Sequence, residues 1–222
     1  LKEASMRTFA RLILLCVSLV LTRAATHAQP SQAEPGRDTR CPEAASKYVH
    51  PSPDKEHLTV EAEEAYEYRQ EKMYLRVCGD SDDAFTRFVK ESVESYEAAR
   101  TLERLLPAVR KAGSPESKDP DAYAAIAAAY TSHLVLLYRW RRTGADTGEG
   151  AVDFAKAIDR QNDLVIDAYA RAVAACGTRA DCEPRKNAWT QKLKGAYRLR
   201  HGSDAGLEEL LRGALDGPMP NL

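Results

Sequence analysis

The chain has 222 residues, a net charge of −1 and 29% charged residues of both signs. That balance excludes the basic excess of a nucleic-acid-binding surface, and a hydrophobic share of 44% excludes a disordered polymer. The length suits one domain behind an N-terminal leader, with enough chain left to bury a core.

Met6 reads as the natural start, with residues 1–5 upstream of it. Arg7 and Arg11 form a positive region, and 12–21 is an apolar stretch too short to span a bilayer. Ala25-Thr26-His27-Ala28 places small residues before a cut at Ala28–Gln29. Residues 1–28 are therefore expected to be a cleaved secretory signal with its upstream residues; the alternative is an uncleaved anchor. Cleavage would leave no membrane span and deliver the chain to the periplasm or the exterior. Cys16 follows Leu15, where a lipoprotein signal needs a small residue, so it does not read as a lipid anchor.

Residues 29–58 are rich in Pro, Ser, Ala and charge and are expected to form an extended arm. His50, Asp54, Glu56 and His57 lie close together there. Pro51 and Pro53 interrupt them and no HExxH spacing occurs, so a solvated arm is expected over a metal site.

A helical domain is expected over 59–217, with 218–222 as a tail. Thr59 can cap a helix over 59–77, and Glu61, Glu63 and Glu64 suit its positive end. Its apolar stripe is poorly defined, and Gly79 ends it. Ser81-Asp82-Asp83 starts a second helix with a stripe of Phe85, Phe88, Val89, Val93, Tyr96 and Ala99. Pro107 is expected to kink or end it. Asp119-Pro120 opens a third, with Tyr123, Ile126, Tyr130, Leu137 and Trp140 on one face and thin alanines around them. Gly144, Gly148 and Gly150 mark a turn. A fourth helix then carries Phe154, Ile158, Val165, Tyr169 and Val173, with Gln161 and Asn162 making its middle polar. Glu183-Pro184 starts a fifth, stopped at His201-Gly202, and Ser203 is expected to cap a short sixth. With no convincing strand, the fold class is all-α: helical hairpins packed as a solenoid or a bundle.

With Tyr130 taken as the tyrosine of a first helix, Tyr123, Ile126 and Ala127 occupy the large, large and small positions of the pattern W-x2-L-G-x2-Y. Val165-x3-Tyr169-x2-Ala172 approximates A-x3-F-x2-A. Residues 119–176 thus resemble a tetratricopeptide-repeat hairpin, over roughly a quarter of the chain. The hairpin is longer than the standard repeat of about 34 residues. The run 197–220 resembles the C-terminal end of secreted bacterial repeat-like proteins. These likenesses imply a repeat-like fold in a bacterial envelope and no reaction.

Cys41, Cys78, Cys176 and Cys182 remain after signal removal. An even number in an exported chain suggests disulfides, and four cysteines allow three pairings. Cys176 and Cys182 flank a short turn between helices, so bridging them is favoured, with Cys41 to Cys78 tying the arm to the next helix. CxxC and CxxCH are absent.

His133 shares a face with Tyr130 and Leu137 and reads as a core or interface residue. No nucleophile elbow, phosphate loop or cofactor motif is present. The acidic runs at 61–64 and 80–83 are explained by helix starts. Arg139-Trp140-Arg141-Arg142 is a basic aromatic cluster. Its first reading is a helix end whose basic residues suit the dipole, with Trp140 buried; as Arg and Trp are common at binding hot spots, Arg139, Trp140 and Arg142, with Arg198 on a later helix, are the place to look for a partner surface. The expected function is an exported, non-catalytic scaffold binding an unidentified protein or peptide, without cofactor or nucleic acid. The alternatives are a cell-wall-active hydrolase using a carboxylate in a helical cleft and a bundle holding a small apolar ligand.

Overall fold

The computed structural model describes residues 40–48, 59–111, 113–141 and 151–220. Among them are seven α-helices and no strand. These are α1 (Arg40–Tyr48), α2 (Val60–Cys78), α3 (Ala84–Arg110), α4 (Pro120–Trp140), α5 (Ala151–Cys176), α6 (Glu183–His201) and α7 (Leu207–Gly213). A single 3-10 turn, Pro115–Lys118, links α3 to α4. The signal segment, most of the arm, the glycine turn with Gly144, Gly148 and Gly150, and residues His50, Asp54, Glu56 and His57 lie outside the described residues.

Helix starts follow local chemistry. The Thr59 hydroxyl accepts from the Ala62 amide at 3.3 Å. Asp83 accepts from the Thr86 amide and hydroxyl, both at 2.8 Å, and from Ser81 at 2.5 Å. Asp119 accepts from the Asp121 amide ahead of Pro120. Each cap meets amide donors that the first helical turn leaves unpaired. Gly202 ends α6 with φ of 79°, a left-handed turn suited to glycine.

Helices pack chiefly on their neighbours in the chain, from α1 on α2 through to α6 on α5, and α7 returns to α5. Partners recede along one helix as they advance along the next. Tyr74 meets Thr86 and Tyr68 meets Glu97; Glu91 pairs with Arg139; Lys186 donates to the Gly177 carbonyl and Arg200 to Asp163. The α2/α3, α3/α4 and α5/α6 pairs are therefore antiparallel hairpins.

Two cores result. The larger joins α3, α4, α5, α6, α7 and Met219. In it α5 is buried on almost every side from Leu164 to Val173, apart from half-buried Asp167. Alanines at 122, 127, 129, 168, 170 and 172 are buried there, and their small size lets backbones approach. The polar middle of α5 donates hydrogen bonds across the α4/α5 hairpin. Gln161 donates to the Tyr130 carbonyl at 2.9 Å, and Asn162 to the Tyr138 hydroxyl at 3.2 Å. The smaller core holds Ala44, Tyr74, Cys78 and Val89. Phe85 meets the Tyr74 ring edge-on at 5.3 Å, and the Tyr74 and Thr86 hydroxyls share a buried hydrogen bond of 2.7 Å.

Two local expectations change, at Arg40–Tyr48 and at Ser203. Arg40–Tyr48 is helical within the stretch read as an extended arm, because Ala44 buries against the Tyr74 core and Cys41 meets Cys78. α3 ends three residues after Pro107, near the point where that residue is expected to kink or end it. There its missing amide costs only one bond of the last turn. Ser203 does not cap α7. Its hydroxyl accepts from the Ala205 amide, and the helix begins after Gly206, whose φ is 89°. A Cβ on Gly206 would also lie 2.9 Å from the Tyr197 hydroxyl, which donates to the Ala205 carbonyl.

Burial pushes the Asp83 carboxyl up, but the bonds from Ser81, the Thr86 amide and hydroxyl, and the Phe85 amide outweigh it and hold the group at about 2. Its folded value lies below the ordinary 3.8, so its stabilisation is complete above about 3.8 and is lost as pH falls through 2. Asp83→Ala is expected to cost about 1–2 kcal/mol at pH 7. In urea titrations the difference from the parent should close as the pH approaches 2.

Candidate functional site

Both cysteine pairs lie at disulfide distance, with Cα separations of 5.5 Å for Cys41–Cys78 and 5.8 Å for Cys176–Cys182. Cys78, Cys176 and Cys182 are buried. The pairs brace helix ends, which is a structural position.

The expected partner surface is divided. Arg139 pairs with Glu91 of α3. Arg198 holds Asp204 through two bonds of 2.7 and 2.5 Å. Trp140 is the last residue of α4, and its side chain, like Arg142, lies outside the described structure. The charges of Arg139 and Arg198 are thus met within the chain. His133 is half-buried and donates to the Ser95 backbone; burial lowers its pKa despite that bond, so it sits as a neutral interface residue between α4 and α3.

A different site emerges where α2 lies against α3. In α2 no described side chain before Tyr74 is fully buried. The contact there is made by polar groups: Tyr68 and Lys72 both donate to Glu97, at 2.8 and 2.9 Å. Tyr68 and Tyr96 stack with centroids 4.5 Å apart, and Arg100 lies over the Tyr96 ring at 5.8 Å. Around this stack opens a groove of about 800 Å³, lined by Tyr68, Tyr96, Glu97, Arg100, Glu103 and Arg104 with Thr101. Two aromatic faces beside both signs of charge can hold a chain that offers apolar and charged side chains in alternation.

The carboxyls differ along this hairpin. The hydrogen bonds from Lys72 and Tyr68 hold the Glu97 carboxyl below its usual range. Burial raises Glu64, and the charges of Glu103 and Glu61 raise it further against Arg100. Glu71, half-buried between the helices, is pushed by burial up to about 7. The Ser92 hydrogen bond opposes this, and the Glu67 charge adds to it. Glu71 does not line the groove.

Among the described residues, no group of three or more His, Cys, Asp or Glu side chains could hold a metal. Nor is any helix among them long and apolar enough to cross a membrane. In sequence Tyr96 falls in the apolar stripe of its helix, with nothing to pair it with Tyr68. The signal that could have found the groove was the missing stripe in α2, since a long helix without one leaves polar surface between itself and its partner.

No protein-family model, curated protein or solved structure matches the chain.

The Glu71 value fixes a sign. Its folded pKa lies above the ordinary 4.5, so the native state holds an extra proton between about 4.5 and 7. Stability falls as pH rises through that window. Glu71→Gln should therefore raise stability at pH 8 by about 2 kcal/mol. That gain should vanish below pH 4.5 in paired thermal melts.

Proposed function

We propose that the chain is an exported, non-catalytic helical scaffold that holds a protein or peptide partner, acting in the periplasm or outside the cell. The observation that carries this reading is the tyrosine-stacked groove along α2 and α3. It is open and lined by anchors that favour protein side chains over a small apolar molecule. Its four charged residues are unsuited to an apolar ligand chamber.

The repeat-like organisation supports the same reading. Helices pack on their chain neighbours. Arg185 of α6 pairs with Asp121 of α4 at 2.6 Å, while the segment after α7 touches both α3 and α5. Single polar contacts thus link alternate helices, as a stack of hairpins requires. Tyr123, Ile126, Ala127 and Tyr130 are all buried, as packing positions of a tetratricopeptide-like hairpin would be. Cysteine pairs at bonding distance suit an oxidising compartment.

The test is affinity capture from an envelope extract with the oxidised chain from Gln29 onward. One enriched protein is expected. Replacing Tyr96 and Arg100 by Ala should abolish its capture while leaving the melting temperature within a few degrees. Retention of the partner by that double variant, or no enriched protein, counts against the groove.

The raised carboxyl of Glu71 meets one requirement of a second reading, that of a wall-active hydrolase, whose general acid must titrate near neutrality. Peptidoglycan turnover that Glu71→Gln abolishes would establish it. Release no faster than background from the parent chain would end it.

A further inference from the structure

The segment that follows α7 stays on the domain. Arg171 of α5 donates through Nη1 to the Gly217 carbonyl at 2.8 Å and through Nη2 to the Pro218 carbonyl at 3.2 Å. Arg110 of α3 donates through Nη2 to the Pro220 carbonyl at 2.5 Å. Between them the Met219 side chain enters the larger core and is 3% exposed.

This is a built receptor. Arg171 is itself 6% exposed and is aimed by Asp167, whose carboxylate accepts from its Nε at 2.8 Å. The Arg110 Nε and the Tyr130 hydroxyl are buried without a hydrogen-bond partner, and Tyr130 lies within electrostatic reach of Arg110 and Asp167. The site therefore holds more donor capacity than the docked segment uses.

The contacts also define what fits. The hydrogen bonds from Arg110 and Arg171 to the segment all go to main-chain carbonyls, and none reads a side chain. Pro218 and Pro220 bring no amide that would be left unpaired, and their fixed φ lowers the cost of ordering an extended chain. Selectivity comes from one apolar residue between two prolines.

We propose that the cleft bounded by Arg110 of α3 and Arg171 of α5 is a recognition groove for an extended Pro–apolar–Pro segment of a partner protein, with Gly217–Pro220 as its built-in competitor. This surface is separate from the groove on α2 and α3 and stands whether or not that groove binds. A tethered occupant acts at an effective concentration in the millimolar range, so a free peptide must displace it. Release of the tether raises apparent affinity without any new contact.

The test uses the full chain and a fluorescent, end-blocked peptide with the sequence Leu-Asp-Gly-Pro-Met-Pro, read by anisotropy. Met219→Asp, which expels the segment, should bind the peptide on the order of tenfold more tightly than the parent. Adding Arg110→Met should remove that gain, and a peptide with Asp in place of Met should not bind. Pro218→Ala with Pro220→Ala loosens the segment without placing a charge in the core. It should give a smaller gain in the same direction, which keeps the test valid if Met219→Asp does not fold. Equal binding by the parent and the loosened variant overturns the proposal, as does no binding by a folded Met219→Asp chain. A parent dimer that exchanges this segment, seen by light scattering and lost in Met219→Asp, would overturn the partner peptide in favour of a second copy.

Discussion

The burial of α5 is the constraint on which the rest of the larger core depends. A helix whose surface is covered from Leu164 to Val173 needs neighbours around it. These are α4 and α6 on its flanks and α7 with Met219 beyond them. The alanines on α4 and α5 make the closest of these approaches feasible, since a larger side chain there would push the helices apart. One charged residue of the covered stretch, Arg171, is fully buried. Its cost is met by Asp167 and by two carbonyls, so the segment after α7 satisfies a group that would otherwise be stranded.

Away from α5 the character of the packing changes. The α2/α3 contact relies on hydroxyl, ammonium and carboxylate groups until it reaches the Tyr74 core. Polar contacts with partial solvent access open more readily than apolar ones, and binding surfaces are drawn from such regions. The bracing of this hairpin sits at one end, where Asp83, Thr86, Tyr74 and the Cys41–Cys78 pair meet. The open end carries the Tyr68–Tyr96 stack and the groove beside it. Rigidity and access thus occupy opposite ends of the same two helices.

Much of the helical framework was legible. Thr59, Asp83 and Asp119 announced helix starts through the chemistry of unpaired amides, and the Tyr123–Tyr130 spacing marked a buried face. The polar interruption at Gln161 and Asn162 was visible too, but its purpose depends on the carbonyl of Tyr130 and the hydroxyl of Tyr138, which belong to another helix. α1 was hidden because a nine-residue helix depends on packing against Tyr74 more than on its own propensity. Nothing in one dimension could show the arginine grip on 217–220, since main-chain carbonyls are present at every residue and leave no pattern. The basic cluster at Arg139 was conspicuous for the opposite reason: charge is easy to see in a sequence, while its neutralisation by Glu91, far earlier in the chain, is not.

The order of the cysteines has a consequence for how such a chain matures. Cys41 faces Cys78, the next cysteine along the chain, and Cys176 faces Cys182, the next again. A polypeptide that enters an oxidising space amino end first therefore presents each thiol with its proper mate before the following pair arrives. Oxidation in order of emergence yields the native connectivity, and a simple dithiol oxidant suffices where a crossed pattern would call for an isomerase to correct early errors.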